Sequence, residues 1–121
     1  MAKRVLIVDD ALIIRKRIRD IAEEAGWEVA GEAGDGEQAV DLYARERPDL
    51  VTLDIVMPKM DGVTALKHLL VTDPAAFVVM ISAVDQRDKL SECIAHGAAD
   101  FIVKPFDPER LQRFFAKHLV P

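Results

Sequence analysis

Five short apolar runs, separated by stretches with a helical hydrophobic period, set the pattern of this chain. The runs are RVLIV (4–8), EVAGEA (28–33), DLVTLD (49–54), FVVMIS (77–82) and DFIVK (100–104). Three of them are almost continuously apolar, which is typical of strands that are covered on both faces. The pattern therefore predicts five β-strands, three of them in the interior of a sheet.

The stretches between and after these runs predict α-helices. From Asp10 to Ala25 the apolar residues recur at helical spacing along one side, and Gly26 follows as a stop signal. Four more helices are predicted from Asp35–Gly36 to before Pro48, from Asp61–Gly62 to before Pro74, from Gln86 to His96, and from Asp107–Pro108 onward. Such strict alternation predicts an α/β fold, a doubly wound five-stranded parallel sheet with helices on both faces.

Length and charge limit the classes of partner. The chain has 121 residues, half of them hydrophobic and 31% charged, which predicts a single globular domain over 1–121. A net charge of −5 disfavours nucleic acid and anionic membranes as partners. Cys93 is the only cysteine and no apolar run reaches membrane length, so we expect a cytoplasmic protein without an intrachain disulfide.

The predicted strands end in polar residues whose side chains can bind ligands or take part in reactions. The first strand ends in Asp9–Asp10, the third in Asp54, the fourth in Ser82 and the fifth in Lys104. Each has an ordinary explanation as a helix cap, a turn residue or a surface lysine. Because ligands bind outside the carboxyl ends of the strands in open parallel sheets, we expect these side chains to converge on one crevice.

Three carboxylates placed together predict a bound cation. They repel one another, and at least one pKa would rise unless a cation lay between them. Oxygen donors without nitrogen or sulfur favour a hard ion such as Mg²⁺. A carboxylate can also attack phosphorus to form an aspartyl phosphate, a reaction that needs mainly positioning and neutralised oxygens. The residues therefore predict a Mg²⁺-dependent phosphoryl site, with Lys104 and Ser82 contacting the remaining phosphoryl oxygens.

Four motifs carry a resemblance that covers essentially the whole chain. They are VLIVDD (5–10), LDIVMPKMDG (53–62), ISA (81–83) and DFIVKPF (100–106). With these motifs the chain resembles the response-regulator receiver domain of the stand-alone, CheY-like chemotaxis type. The resemblance implies a flavodoxin-like sheet in the order 2-1-3-4-5 and a regulatory phosphoacceptor switch of a two-component phosphorelay, rather than an enzyme. It also implies a single receiver domain over 1–121 without an output domain.

The resemblance assigns the acidic residues. It implies that Asp54 is the phosphoacceptor and that Asp10 binds Mg²⁺ directly. Asp9 would hold the ion through water, and the Val56 carbonyl and Asp54 would complete the protein ligands.

The remaining roles that the resemblance implies concern the response to phosphorylation. Ser82 is similar to the hydroxyl that turns toward the phosphoryl group, and Lys104 to the cation that pairs with it. Lys104–Pro105 resembles a cis peptide bond, for which the penalty is small before proline. Phe101 occupies the aromatic switch position, whose ring is expected to turn inward when Ser82 moves.

Two departures from the chemotaxis pattern lead to further expectations. Phe101 has no phenolic hydroxyl, so the readout at the switch position must rest on packing. Val56 and Val84 are apolar at two positions that flank the site, where an amide or an acid could orient an attacking water. We therefore predict a long-lived phosphoryl group.

Three other functions compete with this interpretation. Gly34 to Ala39 matches G-x-G-x-x-A, the dinucleotide-binding fingerprint, but Asp35 and Glu37 would face a pyrophosphate, and Asp35 with Gln38 is better explained as a capping box. An aspartate-nucleophile phosphatase of the haloacid dehalogenase type would carry D-x-D on the first strand, whereas Asp9 and Asp10 are adjacent. A pseudo-receiver that binds partners without phosphorylation would not need the complete acid, hydroxyl and lysine set.

Partner contacts are expected on two helices. The basic cluster Arg15, Lys16, Arg17 and Arg19 predicts a solvated face. Ile13 lies off the buried stripe beside the acid pair, and by resemblance this helix meets a histidine kinase or phosphotransfer protein. The last helix carries surplus apolar residues that either dock a downstream partner, in the family often a flagellar motor switch, or pack on two sides: Leu111, Phe114, Phe115, His118 and Leu119.

Overall fold

The computed structural model describes residues 2–119, and the side chain of Val84 lies outside that description. Its strands are β1 (Arg4–Val8), β2 (Glu28–Ala33), β3 (Leu50–Leu53), β4 (Val78–Ala83) and β5 (Asp100–Lys104). Its helices are α1 (Leu12–Glu24), α2 (Gly36–Glu46), α3 (Gly62–Thr72), α4 (Arg87–His96) and α5 (Pro108–Leu119), with a short 3-10 helix at Val84–Gln86 before α4. Strands and helices alternate as the hydrophobic pattern predicts.

The strands form one parallel sheet in the order β2-β1-β3-β4-β5. Both the α/β class and the predicted strand order are confirmed. Because the order reverses between β1 and β3, the crossovers leave a crevice at the carboxyl ends of these two strands. Asp9 and Asp54 follow those two strands directly.

Alternate side chains of the sheet face two separate cores. Val5 and Ile7 of β1 pack with residues of α1 and α5, including Ile18 and Phe115, whereas Leu6 belongs to the opposite core. That second core lies under α2, α3 and α4. Burial on both faces explains why the central strands read as continuous apolar runs rather than as alternating ones.

The helix ends follow from local capping. Asp35 accepts a hydrogen bond from the Gln38 N–H at 2.8 Å, and the Gln38 side chain accepts one from the Gly34 N–H at 3.0 Å. Asp107 accepts a hydrogen bond from the Glu109 N–H at 3.0 Å, directly before α5. These bonds satisfy N–H groups that have no partner inside the helix.

The structure favours packing over docking for three apolar residues of α5, and it changes the expectation for α1. Leu111, Phe114 and Phe115 of α5 are buried in the core, so this apolar surface serves packing within the protein. On α1, Arg15 and Arg19 form ion pairs with Glu32 instead of lying on a solvated face. Within residues 2–119, none of the helices has the length and apolar character needed to cross a lipid bilayer.

Candidate functional site

Three carboxylates meet at the carboxyl edge of the sheet. Asp9 and Asp54 are buried directly after β1 and β3, and Asp10 is exposed beside them. One carboxylate oxygen from each of the three lies within 4.8 Å of the other two. The convergence expected from the strand ends is therefore present in the structure.

Asp9 is held by hydrogen bonds on all sides. Its N–H donates to the carbonyl of Ala33 in β2 at 3.0 Å. Its Oδ1 accepts from the Ala11 N–H at 2.9 Å, and its Oδ2 accepts from Lys104 Nζ at 2.5 Å. A carboxylate this well bonded is fixed in place, which suits a group that supports a ligand more than one that moves during a reaction.

Asp54 is positioned by the strand before it and by a close approach of α3. Its N–H donates to the Val8 carbonyl at 3.0 Å, and its Oδ1 accepts from the Ile55 N–H at 2.8 Å. Gly62 lies against it so closely that a Cβ at this position would come within 1.9 Å of the Asp54 carbonyl oxygen. Only glycine allows this contact, which explains the Asp61–Gly62 pair at the start of α3.

Lys104 joins the two buried acids. Its Nζ lies 2.5 Å from Asp9 Oδ2 and 3.3 Å from Asp54 Oδ2. Burial raises the pKa of Asp54, and the ammonium of Lys104 opposes this rise while the charge of Asp9 adds to it. Burial alone would lower the pKa of Lys104, but its contacts with the two carboxylates raise it above its ordinary value. The lysine thus remains charged and favours the ionised form of Asp54. The peptide bond between Lys104 and Pro105 is cis.

A buried hydroxyl lies at the end of the neighbouring strand. In the β3–β4 register Leu53 pairs with Met80, so that Asp54 and Ser82 extend from adjacent strands toward the same edge. The Ser82 hydroxyl is buried and has no hydrogen-bond partner among the described residues. An unsatisfied buried hydroxyl costs free energy, and it is available to a ligand oxygen.

Two further residues predicted around the site, Val56 and Phe101, have exposed side chains. Val56 is 57% exposed on the loop between β3 and α3. Phe101 of β5 points outward and lines a groove of about 530 Å³ between β5 and α4, together with Leu90 and Ile94. The side chain of Val84, which was expected to flank the site, lies outside the described residues.

Exposed apolar residues border the acid pair. Ile13 is 70% exposed on the first turn of α1, as expected for a partner contact. Leu12 is 69% exposed beside it, and sequence reasoning missed this residue. Leu12 follows Ala11 directly and does not share the helix face of Ile14 and Ile18, which pack into the core. This position could have identified it as an exposed apolar residue.

The G-x-G-x-x-A segment does not form a phosphate cradle. The Gly36 N–H at the start of α2 donates to the Met60 carbonyl at 3.1 Å. A Cβ on Gly36 would lie 2.4 Å from that oxygen, so the loop before α3 already occupies this helix end. With Asp35 as the cap, the segment serves packing, and dinucleotide binding is disfavoured.

The residues of the crevice fit a hard divalent cation. The three carboxylates supply oxygen ligands only, at spacings that one ion can bridge. Asp10 is exposed and leaves room for water ligands, which Mg²⁺ usually retains. The donor set therefore suits Mg²⁺ better than a metal that prefers nitrogen or sulfur.

Comparison with known proteins gives consistent results. The family described as "Response regulator receiver domain" matches residues 5–116. The chain is 50% identical to "Chemotaxis protein CheY" of Thermotoga maritima over 92% of both chains. It is 54% identical to "Protein CcdB" of Bacillus subtilis over 89% of this chain and 90% of the relative.

A solved structure is similar over nearly the whole chain. It is the crystal structure of a CheX–CheY–BeF3–Mg²⁺ complex from Borrelia burgdorferi, with a TM-score of 0.90 and 39% sequence identity. The match covers 98% of this chain and 90% of that one.

Proposed function

Because the chain belongs to the family of response regulator receiver domains, which are phosphoacceptor switches of two-component systems, we propose that Asp54 accepts the phosphoryl group. The observation that carries this assignment is that one buried carboxylate contacts a lysine and lies beside an acid pair. Lys104 Nζ lies 3.3 Å from Asp54, and the oxygens of Asp9 and Asp10 lie within 4.8 Å of it.

Asp54 acts as the nucleophile in its ionised form. A carboxylate oxygen forms the new P–O bond while the bond between phosphorus and the donor's imidazole nitrogen breaks, and that nitrogen keeps the electron pair. Lys104 supports this step because its charge opposes the effect of burial on the pKa of Asp54. The donor is a phosphohistidine of a histidine kinase or of a phosphotransfer protein, and the product is an aspartyl phosphate.

Asp9, Asp10, Asp54 and the carbonyl of Val56 would hold Mg²⁺ in this crevice. When bound, the ion supplies positive charge that neutralises the oxygens of the transferring group. The Asp9 carboxylate is held by hydrogen bonds from Ala11 and Lys104, so it would be a fixed acceptor for water bound to the ion. The solved complex of a similar protein with BeF3 and Mg²⁺ supports this assignment.

Ser82, Lys104 and Phe101 transmit the change to the surface. The unpartnered Ser82 hydroxyl gains a hydrogen-bond acceptor once a phosphoryl oxygen is present, and this gain favours its movement toward Asp54. Phe101 lies on the neighbouring strand, one position before the residue that pairs with Ile81, and its half-exposed ring can turn inward when Ser82 moves. Because Phe101 has no hydroxyl, the readout depends on how its ring packs.

The output is a protein contact, and chemotaxis is the process that the relatives favour. A relative with 50% identity over 92% of both chains is named a chemotaxis protein, which supports this process for the present chain. The similar structure contains a CheY bound to CheX. We propose that Leu12 and Ile13 contact the phosphodonor, and that the phosphorylated surface binds a downstream protein such as a flagellar motor switch.

The regulatory function is tested by two measurements on the same protein. With Mg²⁺ and a small phosphoryl donor, the protein is expected to gain one phosphoryl group, whereas a phosphomonoester such as p-nitrophenyl phosphate is expected to remain intact. Sustained turnover of the monoester would favour the phosphatase alternative. Absence of covalent phosphorylation together with partner binding would favour the pseudo-receiver.

A further inference from the structure

An arginine in the first turn of α1 connects the edge of the sheet to the acid pair. Arg15 Nη1 donates a hydrogen bond to the backbone carbonyl of Asp9 at 2.6 Å. Its Nε donates to Glu32 Oε1 of β2 at 3.1 Å. The side chain is only 17% exposed, so both contacts form in a region that is largely protected from water.

Helix stability does not explain a cation at this position. The N-terminal turn of a helix carries partial positive charge, which disfavours arginine and favours acids. Yet α1 has no acidic residue in its first turn and no side-chain hydrogen bond from its N-cap, Ala11. Glu32 compensates the charge of Arg15, and the same carboxylate also pairs with Arg19 at 2.6 Å. The presence of Arg15 at this position therefore needs an explanation other than the stability of α1.

The group that Arg15 holds is the peptide between the two acids. The Asp9 carboxylate is fixed by Ala11 and Lys104, as described above. Asp10 follows on an exposed turn, so the direction of its carboxylate depends on the orientation of the preceding peptide. A guanidinium suits this task because its rigid fork can bond the Asp9 carbonyl and Glu32 at once, which a lysine ammonium matches poorly.

We propose that Arg15, held by Glu32, is a positioning residue that orients the Asp9–Asp10 peptide so that the Asp10 carboxylate faces Asp54. This inference rests on the proposed function of the crevice as a Mg²⁺ and phosphoryl site. In this role Arg15 acts through its hydrogen bond to the Asp9 carbonyl and is not itself a ligand of the ion or of the phosphoryl group.

The positive charge of Arg15 and its positioning role predict opposite effects of its removal on Mg²⁺ affinity. This difference makes the proposal testable. If Arg15 acted only as a nearby positive charge, its removal would strengthen the binding of Mg²⁺. If it positions Asp10, its removal weakens Mg²⁺ binding, by about tenfold as is typical for residues that orient metal ligands. The sign of the change therefore separates the two explanations.

The variants are Arg15→Gln, Arg15→Lys and Glu32→Gln, with Arg19→Gln as the matched control. Arg19→Gln removes a neighbouring ion pair of the same glutamate and leaves the contact with the Asp9 carbonyl intact. Mg²⁺ affinity is measured by titration calorimetry. The rate of phosphorylation by a small donor is measured as a function of Mg²⁺ concentration, and unfolding in urea reports folding.

We expect weaker Mg²⁺ binding in Arg15→Gln, a smaller loss in Arg15→Lys and in Glu32→Gln, and a change below about twofold in Arg19→Gln. The Mg²⁺ concentration for half-maximal phosphorylation should rise in Arg15→Gln, while the rate at saturating Mg²⁺ stays close to that of the parent. Unchanged or tighter Mg²⁺ binding in Arg15→Gln would overturn the proposal, as would an equal loss in Arg19→Gln.

Hydrogen exchange in metal-free protein provides a readout that does not involve the ion. The Ala11 amide, which donates to Asp9, should exchange faster in Arg15→Gln and in Glu32→Gln than in Arg19→Gln. Equal exchange in all variants would overturn the positioning role even if an Arg15 variant binds Mg²⁺ weakly. If the parent itself neither binds Mg²⁺ nor is phosphorylated, the proposed function fails, and the exchange rates still decide the role of Arg15.

Discussion

Lys104 donates a hydrogen bond to Asp9 at 2.5 Å, although β5 and β1 are not neighbours in the sheet. Two strands, β3 and β4, lie between them, and Asp54 follows β3. The contact therefore spans the crevice and brings a positive charge to the nucleophile from the far edge of the sheet. Asp9 and Lys104 are therefore hydrogen-bonded to each other without any bound ligand.

Removal of Lys104 should destabilise the metal-free protein. In Lys104→Met, two buried carboxylates lose their cation, and because the lysine side chain is only 19% exposed we expect a loss of about 3 kcal/mol in the free energy of unfolding in EDTA. Mg²⁺ should restore part of this loss because it binds the folded state only. The exposed Lys16→Met serves as the control, with a loss below about 0.5 kcal/mol.

The pH dependence of Lys104→Met follows from Asp54. The pKa of Asp54 is raised by burial in the folded state, so its contribution to stability is complete below the unfolded pKa and is lost as pH rises through the folded pKa. Without the opposing lysine, the folded pKa rises further and this loss extends to higher pH. Urea unfolding between acidic and neutral pH measures the difference. A variant as stable as the parent at neutral pH in EDTA would contradict the role assigned to Lys104.

Two buried hydroxyls should behave differently on removal. Thr52 and Ser82 both lack a hydrogen-bond partner among the described residues. Thr52→Val replaces the hydroxyl by a methyl group of similar size, and we expect the free energy of unfolding to rise by about 1 kcal/mol with phosphorylation unchanged. Ser82→Ala should also stabilise the unphosphorylated protein but weaken the response to phosphorylation, measured as partner binding. A loss of stability in Thr52→Val would show that its hydroxyl has a partner.

Much of the fold can be predicted because strands that are buried on both faces appear in the sequence as nearly continuous apolar runs. β1, β2 and β5 have the predicted limits, and the strand-end acids converge because parallel strands share their carboxyl edge. The start of α1 was less predictable. It begins at Leu12 instead of Asp10, since Asp9 and Asp10 lie on the turn that the crevice requires, and Ala11 replaces a side-chain cap.

The contacts between distant segments could not be predicted from local patterns. The sequence alone places Arg15 on a solvated basic face, because its partners, Glu32 and the Asp9 carbonyl, come from other elements. The available signal was a basic residue in the first turn of a helix, where it is unfavourable. The close approach of Gly62 to Asp54 likewise depends on how the loop before α3 folds back.

Cys93 should be unreactive in the folded protein. Its side chain is fully buried, and burial raises the pKa of the thiol to about 11. At pH 8 we expect no modification by iodoacetamide until urea unfolds the chain. Because the folded pKa lies above the unfolded one, stability should also fall as pH rises from about 9 through 11. Rapid labelling under native conditions would contradict this prediction.

The lifetime of the phosphoryl group should depend on Val56. This exposed valine cannot orient an attacking water, so we predict slow hydrolysis in the parent and an acceleration of about tenfold or more in Val56→Asn. Val71→Asn is the matched control, because Val71 is 84% exposed at the other end of α3. The decay of phosphorylated protein after removal of the donor measures the lifetime. A half-life that does not change in Val56→Asn would count against the prediction.

The most direct test of the central claim is the intact mass of the protein after incubation with a small phosphoryl donor. The parent should gain the mass of one phosphoryl group with Mg²⁺ and none with EDTA, whereas Asp54→Ala should gain none in either condition. No gain in the parent, or an equal gain in Asp54→Ala, would contradict the assignment of Asp54 as the phosphoacceptor.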